Sequence, residues 1–209
     1  MTLPTSENPV VQVKGDRIVR HSSAWAQMRQ HLETRANLRV LDLGPTSPSN
    51  IIYLTSLGHS VYTANLVEEA SQPEWWHKVE GQEQPIFDVE RFVADQLDFT
   101  NRRFDVVLFW DTADYMPPEL PPRVFKRVHE LMESEGTLLA FFHARSTGPG
   151  TEFHRFHLTS GNNIEMQPVG NFPIRQALNT RSIEKLLSPF SGFRFFLSRD
   201  NNREAIAFK

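Results

Sequence analysis

The sequence predicts a mostly parallel, three-layer α/β sheet closed by an antiparallel C-terminal strand. Three observations carry this. Strand-like and helix-like segments alternate along the chain. From Val106 to Trp110 the positions are consecutively apolar, the pattern of a strand covered on both faces. Asp200-Asn201-Asn202 lies between two short apolar runs, a hairpin signal. In such sheets the crossovers are right-handed and ligands bind outside the carboxyl ends of the strands.

The elements follow in order. Val10, Val11 and Val13, then Gly15-Asp16 and Ile18-Val19, fit a short hairpin or a terminal arm. Ser22 and Ser23 can cap a helix whose Trp25, Met28, Leu32 and Ala36 share one face. Residues 39–43 read as a first strand running through Asp42 to Gly44. Ser47-Pro48 supplies an N-cap and a first helical residue that needs no N–H donor. Ile51, Leu54 and Leu57 form that helix's stripe, and Gly58 suits its end. Residues 60–64 are a second strand, a helix is expected around 73–79, and residues 91–94 read as a third strand. The fourth is 105–110. Pro121-Pro122 open a helix with a Val124, Phe125, Val128, Leu131 and Met132 stripe, and 137–142 make a fifth strand. Residues 144–178 are polar and long enough to serve as a lid. Thr180 can cap a helix through Leu187, and 193–197 with 205–208 close the sheet.

Composition narrows the chemistry. With 209 residues the chain fits one domain and can bury a core without staples. It has no cysteine, which excludes disulfide scaffolds, thiolate zinc sites and cysteine nucleophiles. Lys+Arg number 22 and Asp+Glu 25, a net charge of −3, so neither nucleic acid nor an anionic membrane is an expected partner. The longest apolar runs are five residues, far short of the ~20 of a membrane span. Without a signal-peptide pattern, a cytoplasmic monomer or homodimer is expected. The 14 prolines outnumber the 10 glycines, an odd ratio for an α/β enzyme with a ligand-cradling glycine loop.

The string VLDLGPTSPSNIIYLTSLGHSVYTANL resembles the first two motifs of class I S-adenosylmethionine-dependent methyltransferases. FDVVLFWDTADYM and ESEGTLLAFFH resemble that family's fourth and fifth strand regions, and GFRFFLSRDNNREAIAFK its closing hairpin. The resemblance implies a Rossmann-like sheet of seven strands. It also implies an N-terminal arm and helix over 1–36, and a methyltransferase-like domain over 37–209 with a lid at about 144–178. The implied cofactor is S-adenosylmethionine and the implied partner a small-molecule methyl acceptor.

By that resemblance, Asp42, Gly44, Pro45 and Thr46 line the cofactor loop, with Thr46 and Pro48 where the family carries its second and third glycines. Asn65 stands where an acid usually accepts the ribose hydroxyls, with Leu66 beside it. Asp95 would accept the adenine amine, with Gln96 adjacent. Asp111 would border both cofactor and acceptor, and Asp111, Tyr115 and His143 are the catalytic candidates. An imidazole with a pKa near ~6.5 suits proton removal in oxygen or nitrogen methylation. His154 and His157 lie three apart in an extended segment, on opposite faces, so no metal site is expected. The departures at Thr46, Pro48 and Asn65 keep an alternative open, a catalytically inactive methyltransferase-fold protein that binds or regulates.

Overall fold

The structure is a computed structural model that describes residues 17–81, 83–144, 151–198 and 202–209. The chain begins with β1 (Ile18–His21) and α1 (Ser23–Thr34), then β2 (Arg39–Asp42), α2 (Pro48–Ser56), β3 (Ser60–Thr63) and α3 (Leu66–Ala70). A two-stranded ribbon follows, β4 (Trp76–His77) and β5 (Ile86–Phe87), then α4 (Val89–Gln96), β6 (Phe104–Trp110), α5 (Thr112–Tyr115), α6 (Leu120–Leu131) and β7 (Met132–Phe142). β8 (Thr151–Leu158) and β9 (Asn163–Phe172) form a hairpin. α7 (Thr180–Leu186), β10 (Gly192–Leu197) and β11 (Arg203–Phe208) finish the chain.

The central sheet has six strands in the order β10-β11-β7-β6-β2-β3. β3, β2, β6 and β7 are parallel, while β11 and β10 run antiparallel. β6 shows why its sequence is apolar from Val106 onward. Val106, Leu108 and Trp110 pack with α1 and α2 on one face, through Trp25, Met28, Leu32 and Leu54. Val107 and Phe109 pack with α4, α6 and α7 on the other, through Phe92, Phe125 and Ile183. Successive side chains of a strand point to opposite faces, so a doubly covered strand has no polar positions to spare.

The expected third strand is absent. Residues 91–94 lie inside α4, whose N-cap Asp88 accepts from the Arg91 N–H at 3.1 Å. Phe92, Val93 and Leu97 all sink into the core, a helical rather than an alternating spacing. The sheet therefore stops at β3. The helix expected around 73–79 is instead a single 3-10 turn, Pro73–Trp75, leading into the ribbon.

The polar stretch taken for a lid is largely ordered β-structure. β8 and β9 pair antiparallel, and β1 adds to β9, making a three-stranded second sheet. Ile18 and Val19 pair with Met166 and Glu165, while the expected hairpin partners Val10, Val11 and Val13 lie outside the described residues. Likewise, the Asp200-Asn201 turn lies outside them, although the flanking strands pair as expected.

Glu204 of β11 ties the N-terminal elements to the sheet. It is 1% exposed, accepts from Ser22 Oγ at 3.0 Å and the Ala24 N–H at 2.9 Å, and lies 2.8 Å from the Arg20 guanidinium. Ser22 meanwhile caps α1 by accepting from the Trp25 N–H. Removing one partner of a buried ion pair strands the other, at about 3–5 kcal/mol. Glu204→Ala is therefore expected to lower unfolding free energy by about that amount in a denaturant titration, and a change below about 1 kcal/mol contradicts this anchoring.

Candidate functional site

The site begins where β2 runs out. Asp42 is 2% exposed, and its two oxygens accept from Trp110 Nε1 at 2.6 Å and Asn50 Nδ2 at 3.2 Å. Burial pushes its carboxyl up to about 6, against the opposing pull of Trp110, Asn50 and the Gly44 N–H. Gly44 is required by packing, because a Cβ there would stand 2.7 Å from Cδ1 of the Trp110 indole. Trp110 itself has φ +53, a conformation that costs a bulky residue about 1–2 kcal/mol. Its bond to Asp42 and a near-parallel stack on Phe156, 4.9 Å between centroids, hold it there.

Next, Ser47 caps α2 by accepting from the Asn50 N–H. The same turn is held from above by β8. Asn50 Nδ2 donates to the Phe156 carbonyl at 3.0 Å, and Asn50 Oδ1 accepts from the Leu158 N–H at 2.7 Å. His157 Nδ1 lies 2.8 Å from both the Ser47 and Ser49 hydroxyls, and its single lone pair accepts from one of them, while Nε2 donates to Gln167 Oε1 at 3.1 Å. Burial lowers the His157 pKa, which favours the neutral imidazole.

Between this turn, the end of β3 and the hairpin lies a cavity of about 540 Å³. Pro45, Thr46, Asn65 and Glu68 form one side, and Phe153, Arg155, Val169, Gly170, Asn171 and Phe172 the other. Asn65 Nδ2 donates to Glu68 Oε2 at 2.7 Å, whereas its Oδ1 is buried with no partner among the described residues. The cavity wall thus contains a buried acceptor without a partner among the described residues, next to a carboxylate.

A second cluster follows β6. Asp114 is fully buried and accepts from both the His143 backbone N–H at 2.6 Å and His143 Nδ1 at 2.9 Å. Asp111 stands 3.7 Å from His143 Nε2. Burial pushes Asp111 up to about 7, with His143 opposing and Asp114 adding to the rise. It raises Asp114 too, against the His143 bonds. For His143, burial pulls downward, but the Asp114 bond and both carboxylate charges overcome it, leaving a net rise. Tyr115 packs edge-on to His143 at 5.6 Å and to Phe153 at 4.9 Å, so it links this cluster to the cavity wall.

The structure brings Pro45, Thr46 and Asn65 to the cavity. It sets Asp42 and Gly44 behind it, buries Leu66 in the core, and joins Asp111 to His143. It does not bring Asp95 or Gln96 there. They end α4, and Asp95 is exposed and faces Arg91 at 3.7 Å. Because the helix replaced the strand, the residues expected at a strand end sit at a helix end instead. Sequence reading passed over Asn50, Glu68, Asp114 and Arg155. Asn50 and Asp114 lay inside the quoted motifs, but Asn50, like Arg155, becomes meaningful only once the hairpin folds back.

The chain belongs to the methyltransferase domain family, whose sequence pattern matches residues 18–187. That membership makes it a methyltransferase by class, with S-adenosylmethionine as its cofactor. No curated protein sequence matches the chain. Among solved structures it is similar to the CcbJ methyltransferase from Streptomyces caelestis, at 14% identity over 88% of each chain and a TM-score of 0.52. It is also similar to an S-adenosylmethionine-dependent methyltransferase from Methanosarcina mazei, at 15% identity, 86% of this chain, 96% of that one and a TM-score of 0.49. A third is magnesium protoporphyrin IX methyltransferase from Synechocystis PCC 6803 with bound S-adenosylhomocysteine, at 19% identity, 89% and 78% coverage and a TM-score of 0.48. At these identities the likeness concerns the fold. Among the described residues, no helix is long and apolar enough to cross a membrane.

The cavity fits the cofactor by an observation of its own. A ribose offers two hydroxyl donors, and Asn65 Oδ1 is an unpaired acceptor beside the Glu68 carboxylate. The volume falls within the ~300–1,000 Å³ of small-molecule sites.

Asp42 also has a measurable signature. Its ordinary value is 3.8 and its folded value about 6, so between them the folded state holds more protons than the unfolded one. Its contribution to stability therefore falls as pH rises through that window. Asp42→Asn is expected to flatten this part of the stability–pH curve while losing the Asn50 contact. An unchanged slope in denaturant titrations across the window contradicts the assignment.

Proposed function

We propose that the protein transfers a methyl group from S-adenosylmethionine to a small-molecule acceptor in the cavity between the β2–α2 turn and the β8–β9 hairpin. The observation that carries this is the cavity's make-up. Its sheet side holds Pro45, Thr46, Asn65 and Glu68, and its hairpin side carries the Phe153 and Phe172 rings. The bound cofactor supplies an electrophilic methyl on a cationic sulfur. The chain's own work is to align the acceptor at ~3 Å and to keep water away. A roof of β8 and β9 serves the second task, and apolar rings favour a small, largely apolar acceptor over a polymer.

Methylation at oxygen or nitrogen releases a proton. We assign it to His143, which with Asp111 lines a second, narrow pocket rather than the cavity itself, so the acceptor has to open a way from one to the other. Asp114 holds Nδ1–H in place, which makes Nε2 the accepting atom, and Asp111 Oδ2 at 3.7 Å is beyond hydrogen-bond reach of it. Tyr115 packs between His143 and Phe153 rather than serving as an acid, since its hydroxyl donates to the Glu152 carbonyl at 3.1 Å and burial drives its pKa upward.

Calorimetry with S-adenosylhomocysteine is expected to show one site per chain. Absence of binding at millimolar concentrations rejects the reading and leaves the non-catalytic one. For the base, His143→Asn should lower kcat by about 10²- to 10⁴-fold without changing cofactor affinity. Because the His143 pKa is raised, wild-type activity should climb with pH through a value above 6.5, and the variant should lose that limb. A kcat within about threefold of wild type would show that alignment alone carries the chemistry.

A further inference from the structure

Several donors of the loop after β2 are absent or engaged elsewhere, leaving Thr46 as the loop's donor-bearing residue at the cavity. Pro45 and Pro48 have no N–H. The Gly44 N–H is turned to the Asp42 carboxylate, and the Asn50 N–H to the Ser47 hydroxyl. The Ser47 and Ser49 hydroxyls are drawn to His157. A helix N-terminus is ordinarily an anion site because its N–H groups point outward unpaired. Here much of that capacity is absent or spent.

Across the cavity stands a guanidinium. Phe153, Arg155 and His157 alternate along β8 and therefore share a face, the face turned to the β2–α2 turn. Arg155 lines the cavity with its Nε buried and unpartnered. Its Nη1 reaches Gln167 Oε1 only at 3.4 Å, a weak bond. No carboxylate among the described residues forms an ion pair with it. A permanent cation that lines a cavity and carries a buried N–H with no partner among the described residues calls for an anionic partner. The wall around it is shaped closely, since a Cβ on Gly170 would come within 3.0 Å of the Phe172 ring.

We propose that Arg155 anchors the carboxylate at the amino-acid end of the methyl donor, replacing loop donors with a guanidinium supplied by the hairpin. This rests on the cofactor reading above. The cavity then has two poles that match one ligand, Asn65 and Glu68 for the ribose hydroxyls and Arg155 for the carboxylate. Cofactor capture and placement of the hairpin become one event, because the same strand that roofs the site holds the anion.

The test compares two probes by calorimetry, S-adenosylhomocysteine and 5′-methylthioadenosine, which keeps the nucleoside and lacks the amino-acid end. Wild type should bind the first more tightly. Arg155→Ala should weaken S-adenosylhomocysteine by about 10- to 100-fold and leave methylthioadenosine within about twofold, with an unchanged melting temperature. Arg155→Lys should recover part of the loss, as a point charge without the planar fork. An unchanged S-adenosylhomocysteine affinity in Arg155→Ala overturns the proposal, as does an equal loss for both probes. If wild type binds both probes equally, the cofactor reading stands and the anchor falls. If it binds neither, both fall.

Discussion

Asn50 is the side chain on which the site's architecture turns. It is 1% exposed, and its amide donates to Asp42 and to the Phe156 carbonyl while accepting from the Leu158 N–H. One residue at the start of α2 thus joins the end of a central strand to both backbone polar groups of the overlying hairpin. Each of these groups is buried, and a buried donor or acceptor left unpaired costs about 1–3 kcal/mol. The turn, the sheet and the hairpin are therefore constrained to move as a unit. His157 repeats the tie two hydroxyls further along, and Trp110 repeats it through the Asp42 carboxylate and the Phe156 ring.

This constraint explains why the β2–α2 turn departs from a glycine-rich pattern. A glycine loop is permissive because the backbone alone must approach a ligand. Here the loop is rigidified from two sides. Pro48 sets the first helical residue, Ser47 caps it, and β8 clamps it. Ligand-facing polarity moves outward to side chains, to Asn65 and Glu68 at the start of α3 and to Arg155 on the hairpin. The sheet edge changes in the same sense. With β3 as the edge strand and α4 packed against the core, residues 95–96 end a helix on the surface.

The doubly covered strand β6, the Ser47-Pro48 helix start and the closing hairpin were all legible in the sequence, because each is set by residues close in the chain. The Ser22 cap was likewise readable, although its second role toward Glu204 was not. Residues 91–94 misled because three apolar positions after an arginine cannot separate a strand from a helix turn, and the deciding residues, Asp88 and Leu97, lie outside that window. The hairpin was hidden for a different reason. β8 and β9 expose polar residues to the cavity and to solvent, so their composition resembles a loop, and only cross-strand pairing reveals them. For the same reason Asn50 and Arg155 carried no local signal. Their partners are about a hundred residues away or across a cavity.

The central claim is that the cofactor turn and the hairpin form one unit. Amide hydrogen exchange with and without S-adenosylhomocysteine tests it most directly. The account predicts that ligand slows exchange in residues 44–50 and in 151–172 together, and that Asn50→Ala uncouples the two segments. Protection confined to residues 44–50, with the hairpin exchanging as before, would contradict it.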